Sequence, residues 1–248
     1  MDAIKIKKLT KRFEGVAAID NLSINFERGK ITALIGPNGS GKSTLTNVLT
    51  GMLQFEEGTI ALHEDITLKY IKPYDTPVYG LTRTFQDVRL FEQMSVTDNV
   101  LITLTARNVF SSLFERHSKL HEKQAEEALK IVGLWDKRDA QAGSLSYGQR
   151  KLLEIARVLA MSETGRANII LFDEPFAGLF PQMVKSVSKI ITDLKTQGRT
   201  ILLIEHNMEL IRELSDRVIV IDSGSLLAEG APEDVLSKKE VIEAYLGA

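Results

Sequence analysis

The chain has 248 residues, 44% of them hydrophobic, enough for one large domain, or a domain with a subdomain, around a real core. Its formal net charge is −2, with 26% charged residues of both signs interspersed, which gives no electrostatic case for nucleic acid as the main partner. The absence of cysteine excludes disulfides and zinc–thiolate sites and fits a reducing cytosol.

Residues 4–9 and 22–26 alternate apolar and polar side chains, as half-exposed strands do, and predict an antiparallel edge with Phe13 and Gly15 between them. The lysine-rich KIKKLTKR reads as a solvated strand face. KITALIG then predicts a short buried strand, and KSTLTNVLTG a helix with Gly51 as its C-terminal cap. From Val88 to about Ala142 the pattern turns helical. SVTDNVLITL opens with a Ser/Thr cap, and HEKQAEEALKIVGLW puts Ala125, Ala128, Leu129 and Val132 on one face.

Strands and helices then alternate: a helix at 147–161, the strand NIILFDE, a helix at 181–197 ending before Gly198, and the strand RTILLIEH. This order predicts a mostly parallel, buried sheet. RVIVIDSGSLLAEG reads as a hairpin turning at Asp222 to Ser225, and PEDVLSKKEVIEAYLG as a C-terminal helix. The apolar runs fall far short of the roughly 20 residues of a membrane helix, and the start lacks the apolar stretch of a signal peptide. The chain is expected neither to span a membrane nor to be exported.

Gly36 to Ser43 matches G-x-x-x-x-G-K-[ST] in full, between a predicted strand and a predicted helix. Glycines let backbone N–H groups converge on phosphate oxygens, the helix N-terminus adds its positive end, Lys42 reaches the outer phosphates and Ser43 can ligate Mg²⁺. The strand IILFDE ends in two carboxylates. Asp173 stands where a phosphate-loop fold holds Mg²⁺, and Glu174 beside it can polarise an attacking water. LSYGQRKLLEIAR, with Ser146 and Gly148 at the entry to a helix, is a second stretch suited to an anion. Gln86 in a loop and His206 at a strand end carry little signal alone.

Taken in order, the phosphate loop, Gln86, LSYGQ, ILFDEP, AGL and His206 closely resemble the nucleotide-binding domain of ABC transporters over essentially the whole chain. The resemblance implies an α/β phosphate-loop core with a mostly parallel sheet, an antiparallel β edge (1–87 and 143–248) and an inserted helical subdomain (88–142). It also implies an ATPase using ATP and Mg²⁺. The loop Gly36, Pro37, Asn38, Gly39, Ser40, Gly41, Lys42, Ser43 and Thr44 would hold the phosphates, and Phe13 would stack on adenine. Ser43, Gln86 and Asp173 would serve the metal, Gln86 also sensing the γ-phosphate. Glu174 would be the general base, and His206 would hold the γ-phosphate. Head-to-tail dimers would set Ser146, Gly148 and Gln149 against the partner's ATP.

Within the family, RTFQDVRLFEQMSVTDNVL, LSYGQ, EPFAGLFP, LLIEHNMELI and VIEAYLG are most similar to the ATPase subunits of branched-chain amino acid importers and the related urea importers. Lipopolysaccharide-export ATPases are also similar, with a like ending, and a soluble ABC ATPase of iron–sulfur cluster assembly remains open. Repair ATPases are excluded, because the helical region is too short for their coiled-coil insertion. The implied partners are a second ATPase subunit, identical or paralogous, and an integral membrane permease, with no nucleic acid. The implied location is the inner face of the cytoplasmic membrane. Three departures stand out: Phe13 where tyrosine is commoner, Phe180 where Asp or Asn is usual, and a longer SETGRAN before the Asp173 strand.

Overall fold

The computed structural model describes residues 1–63, 66–104, 119–163 and 167–246. Part of the expected helical region, and residues 164–166 of SETGRAN, lie outside the described residues. The chain opens with strands β1 (Asp2–Phe13) and β2 (Val16–Glu27), joined at Glu14 and Gly15. Both turn residues have positive φ, as a two-residue hairpin whose twist matches its strands requires. In β1, Ile4 and Ile6 face inward, yet Lys7 and Lys8 are both exposed and Leu9 is buried again. A register shift between Ile6 and Leu9, with Lys8 at φ 49°, absorbs the extra lysine and returns the apolar face to the core.

Strand β3 (Ile31–Ile35) leads through the glycine loop into α1 (Lys42–Leu49), which stops at Thr50 and Gly51. Strands β4 (Glu57–Leu62), β5 (Ile66–Leu68) and β6 (Leu81–Arg83) follow. Helix α2 (Val96–Leu104) is capped by Ser95, whose Oγ accepts from Asp98 N–H and donates to the Asp98 carboxylate. Next come α3 (Lys119–Ile131), α4 (Tyr147–Glu163), β7 (Ile169–Asp173) and α5 (Pro181–Thr196), then Gly198 at φ 81°. Strand β8 (Thr200–Ile204), helix α6 (Met208–Leu214, capped by Asn207) and the hairpin β9 (Arg217–Asp222)/β10 (Ser225–Gly230) complete the sheet region.

The predicted C-terminal helix is two helices, α7 (Pro232–Leu236) and α8 (Lys239–Leu246). Ser237 Oγ donates to the Asp234 carbonyl and Lys238 N–H to the Val235 carbonyl, closing the first helix. Val241 and Ile242 then donate to Lys238 O and start a second. A run of helix formers hid this side-chain cap.

By contacts the chain divides into two compact units: residues 1–83, 168–174 and 191–248, and residues 84–167 and 175–190. Among the described residues, the first unit holds a four-stranded antiparallel sheet ordered β2-β1-β4-β5 and a six-stranded sheet ordered β10-β9-β3-β8-β7-β6. The last is parallel except for β10. Alternation along β9 divides two cores. Ile219 and Ile221 join α1 and the antiparallel sheet, while Val218 and Val220 pack with Ile211, Val235 and Val241 from α6 to α8. In the second unit α2, α3 and α4 pack together, with Val100, Leu104, Ala125, Ala128 and Leu129 buried. Among the described residues no helix is long and apolar enough to cross a membrane.

Candidate functional site

In a parallel sheet, loops leaving the C-terminal strand ends gather at one edge. Strands β3, β8 and β7 are neighbours, so the Gly36–Thr44 loop, Glu205–His206 and Asp173–Glu174 emerge side by side. The loop turns through Gly36, Gly39 and Gly41 at φ 154°, 79° and 105°. A Cβ on Gly36 would lie 2.1 Å from the Ile221 carbonyl oxygen, and one on Gly41 2.5 Å from that of Ala18, so only glycine fits. Asn38 and Gly39 are exposed at the tip, whereas Pro37 and Ser40 are buried. Ser40 O accepts from Gly224 N–H, tying the loop to the β9–β10 turn.

Lys42 is buried, and its Nζ donates to the carbonyls of Gly36 at 2.7 Å and Pro37 at 2.8 Å. Burial holds its pKa below the usual lysine value, partly offset by Glu174 and Asp173 nearby. A cation folded back on its own loop carbonyls, beside an exposed tip at Asn38 and Gly39, fits a phosphate chain. Ser43 is exposed in the first turn of α1.

Asp173 ends β7 and is buried, 2.6 Å from Arg83 Nη2, and Arg83 Nη1 reaches Asn47 Oδ1 of α1 at 2.7 Å. Glu174 follows at φ 48°, an uncommon conformation for a residue with a Cβ, fixed where its N–H donates to Ile204 O of β8. His206 Nε2 lies 3.0 Å from Glu174 Oε1, a distance at which Nε2–H donates to an ionised carboxylate. Buried Glu205 accepts from the N–H groups of His206 and Asn207 and so sets the turn that presents the histidine. Phe13, at the end of β1, is 44% exposed and has Lys11 Nζ 5.0 Å above its ring, so it is not a core residue.

The second unit carries Gln86, Ser146, Gly148 and Gln149. Gln86 is exposed in a loop anchored on α4: Phe85 N–H donates to Glu154 Oε1, and Arg157 Nη1 to Arg89 O. Ser146 and Gln149 cap each other, Ser146 N–H donating to Gln149 Oε1 and Gln149 N–H to Ser146 Oγ. Ser146 stays exposed at the start of α4. Tyr147 lies on Gly178, where an added Cβ would be 2.8 Å from its ring, and Phe180 is 75% exposed. Arg150 joins the LSYGQ entry to the loop before α2, pairing with Glu92 at 3.0 Å and donating to the Gly143 and Leu145 carbonyls.

Sequence reasoning missed Arg83, Asn47, Glu205, Glu154 and Tyr245, whose hydroxyl accepts from Gly36 N–H at 2.7 Å. Except for Glu205, which accepts from its immediate neighbours, these residues have partners far away in sequence, and no local pattern announces them. Glu205 alone carried a signal, as a charge inside an otherwise apolar strand end. For Mg²⁺ the donors fit: no cluster of three His, Cys, Asp or Glu residues stands among the described residues, but a hydroxyl and one carboxylate do. A hard cation completed by substrate phosphates and water uses such a sparse set.

A glycine loop entering a helix at the C-terminal edge of a parallel sheet, beside paired carboxylates, defines a phosphate-loop ATPase. Residues 19–177 match the ABC transporter family model, and the chain belongs to that family, as the ATP-binding and ATP-hydrolysing subunit of a transporter. It is 38% identical to the high-affinity branched-chain amino acid transport ATP-binding protein LivG of Salmonella typhimurium (strain LT2), covering 98% of this chain and 97% of that protein. It is 36% identical to the probable LivG of Archaeoglobus fulgidus, over 100% and 96%. A nucleotide-free ATP-binding cassette from an ABC transporter superimposes with a TM-score of 0.86 at 34% identity, covering all of both chains. A cassette in its ADP conformation gives 0.85.

Proposed function

We propose that this chain powers uptake of branched-chain amino acids, or a similar small polar solute, through a separate membrane permease. The observation that supports this reading is the near-complete alignment with proteins named for branched-chain amino acid transport, from a bacterium and an archaeon. Two such subunits, identical or paralogous, close around two ATP at the inner face of the cytoplasmic membrane. The exposed loop at Gln86–Phe91 passes the motion to the permease.

In this reading the amides of the loop beyond Pro37, up to Thr44, and Lys42 hold the phosphates and Phe13 covers the adenine. Ser43 Oγ and Asp173 would hold Mg²⁺, which would neutralise phosphate charge when bound. Arg83 fixes the Asp173 carboxylate from the side of α1. Glu174 takes the proton from a water whose oxygen attacks the γ-phosphorus as ADP leaves, and His206 orients Glu174 and the γ-phosphate. Ser146, Gly148 and Gln149 face the ATP of the other subunit. Deleting the gene is expected to abolish uptake of labelled leucine by cells, restored by the wild-type chain and not by Glu174→Gln. Undiminished uptake of every branched-chain amino acid after deletion would overturn the solute assignment.

Stacking on a base is worth about 1–3 kcal/mol where it has been measured. Phe13→Ala is therefore expected to weaken ATP binding about five- to 150-fold, and Phe13→Tyr to preserve it. Because the ring is half exposed, neither variant should lower the melting temperature appreciably. A titration showing unchanged affinity in Phe13→Ala would remove Phe13 from the nucleotide site.

A further inference from the structure

The ending VIEAYLG, part of the family likeness, has a physical role of its own. Tyr245 lies near the end of α8, its ring packed on the core formed by β3, β9, α6 and α7. Its hydroxyl accepts from the N–H of Gly36, the first residue of the phosphate loop, 209 positions earlier in the chain. The carbonyl of that same residue accepts from Lys42 Nζ. Gly36 is thus held at both polar groups, by two side chains with different fates. In the reading proposed above Lys42 turns to the phosphates when nucleotide binds and gives up the Gly36 carbonyl. Tyr245, a neutral side chain bonded to the Gly36 N–H, has no such second partner to turn to.

We propose that Tyr245 is a positioning residue for the phosphate loop: the C-terminal helix keeps Gly36 in place after Lys42 has turned to the nucleotide. Burial pushes the phenol pKa upward, so the hydroxyl stays protonated and neutral through the physiological range. Its place in a packed core gives the anchor rigidity that a surface side chain lacks. The loop cannot take over this restraint by shifting toward β9, since Gly36 already crowds the Ile221 carbonyl. In the nucleotide-free protein Lys42 still holds the Gly36 carbonyl, so loss of the tyrosine leaves one of two restraints on the residue. In the loaded protein it leaves neither, so a cost in nucleotide binding is added to the folding cost of a buried, unpartnered N–H.

The inference rests on Gly36–Thr44 being the nucleotide site, and the experiment separates the two. MgADP, which carries the phosphates nearest the loop, is titrated calorimetrically into the full-length wild type, Tyr245→Phe, Val241→Ala and Lys42→Ala. Melting temperatures are measured without nucleotide. Tyr245→Phe is expected to bind MgADP about three- to tenfold more weakly, the weight of one hydrogen bond, with a nucleotide-free melting temperature lowered no further than that of Val241→Ala. Val241→Ala, which opens a cavity beside the same helix, is expected to melt lower and bind normally. Wild-type affinity in Tyr245→Phe, or a loss of affinity matched by an equal loss in Val241→Ala, would overturn the positioning role. Wild-type affinity in Lys42→Ala as well would overturn the site assignment with it.

Discussion

Glu174→Gln is expected to lower ATP turnover by about 10²- to 10⁴-fold while leaving ATP affinity within a factor of about two or three, because a positioned base contributes that much to proton transfer. The substitution keeps the length and planarity of the side chain, so the contact 3.0 Å from His206 Nε2 can persist with the imidazole as acceptor. What it removes is the capacity to take a proton from water. Lys42 and Asp173, the groups closest to the phosphates in the proposal, are untouched. Backbone strain provides a control. Glu174 sits at φ 48°, a conformation costing roughly 1–2 kcal/mol for a residue with a Cβ, and glutamine keeps that cost while glycine relieves it. Glu174→Gly is expected to be as inactive as Glu174→Gln and to melt no lower than wild type. Wild-type hydrolysis by Glu174→Gln would remove Glu174 from the chemistry.

That strain is informative about what a sequence can disclose. The phosphate loop, the end of β7 and the LSYGQ entry are legible because each depends on residues within a few positions of one another. The β9–β10 hairpin is legible for the same reason: Ser223 and Gly224 carry the two positive φ values its tight turn needs. The Arg83–Asp173 pair spans 90 positions and exists only because β6 and β7 are neighbours in the sheet, which a three-residue strand such as Leu81–Arg83 cannot announce. Tyr245 is further removed, meeting Gly36 only once α8 has docked on the far core. Residues 4–9 read as one alternating strand, but lysines at 7 and 8 break the alternation, and a bulge that the sequence does not announce restores it. Local structure was readable, and most of the groups that hold it in place were not, because all but Glu205 are set by tertiary neighbours.

Mixing two inactive variants is expected to restore ATP occlusion, and this outcome tests whether LSYGQ serves the ATP of the other subunit. Lys42→Ala removes the loop cation, so a homodimer of that variant has two damaged phosphate sites. Ser146→Arg adds bulk at the exposed start of α4, where the serine now exchanges hydrogen bonds with Gln149, and its homodimer has two obstructed second faces. If each site joins the loop of one chain to Ser146 of its partner, a mixed dimer gathers both lesions in one site and leaves the other entirely wild type. With random pairing about half the dimers are mixed, each with one good site of two, so about a quarter of wild-type occlusion should reappear at concentrations that drive association. Occlusion is the measured quantity, since full turnover in this family's dimers is expected to draw on both sites. An arginine could attract phosphate as well as block it, so Gly148→Asp is the second partner variant, placing a negative charge toward the triphosphate. A side chain at Gly148 meets the end of Met183, which can move aside, so the fold is expected to tolerate it. If LSYGQ served its own chain, every mixed dimer would still hold two damaged sites. Occlusion no greater than the sum of the separate variants, with mixed dimers demonstrated, would sink the shared-site reading.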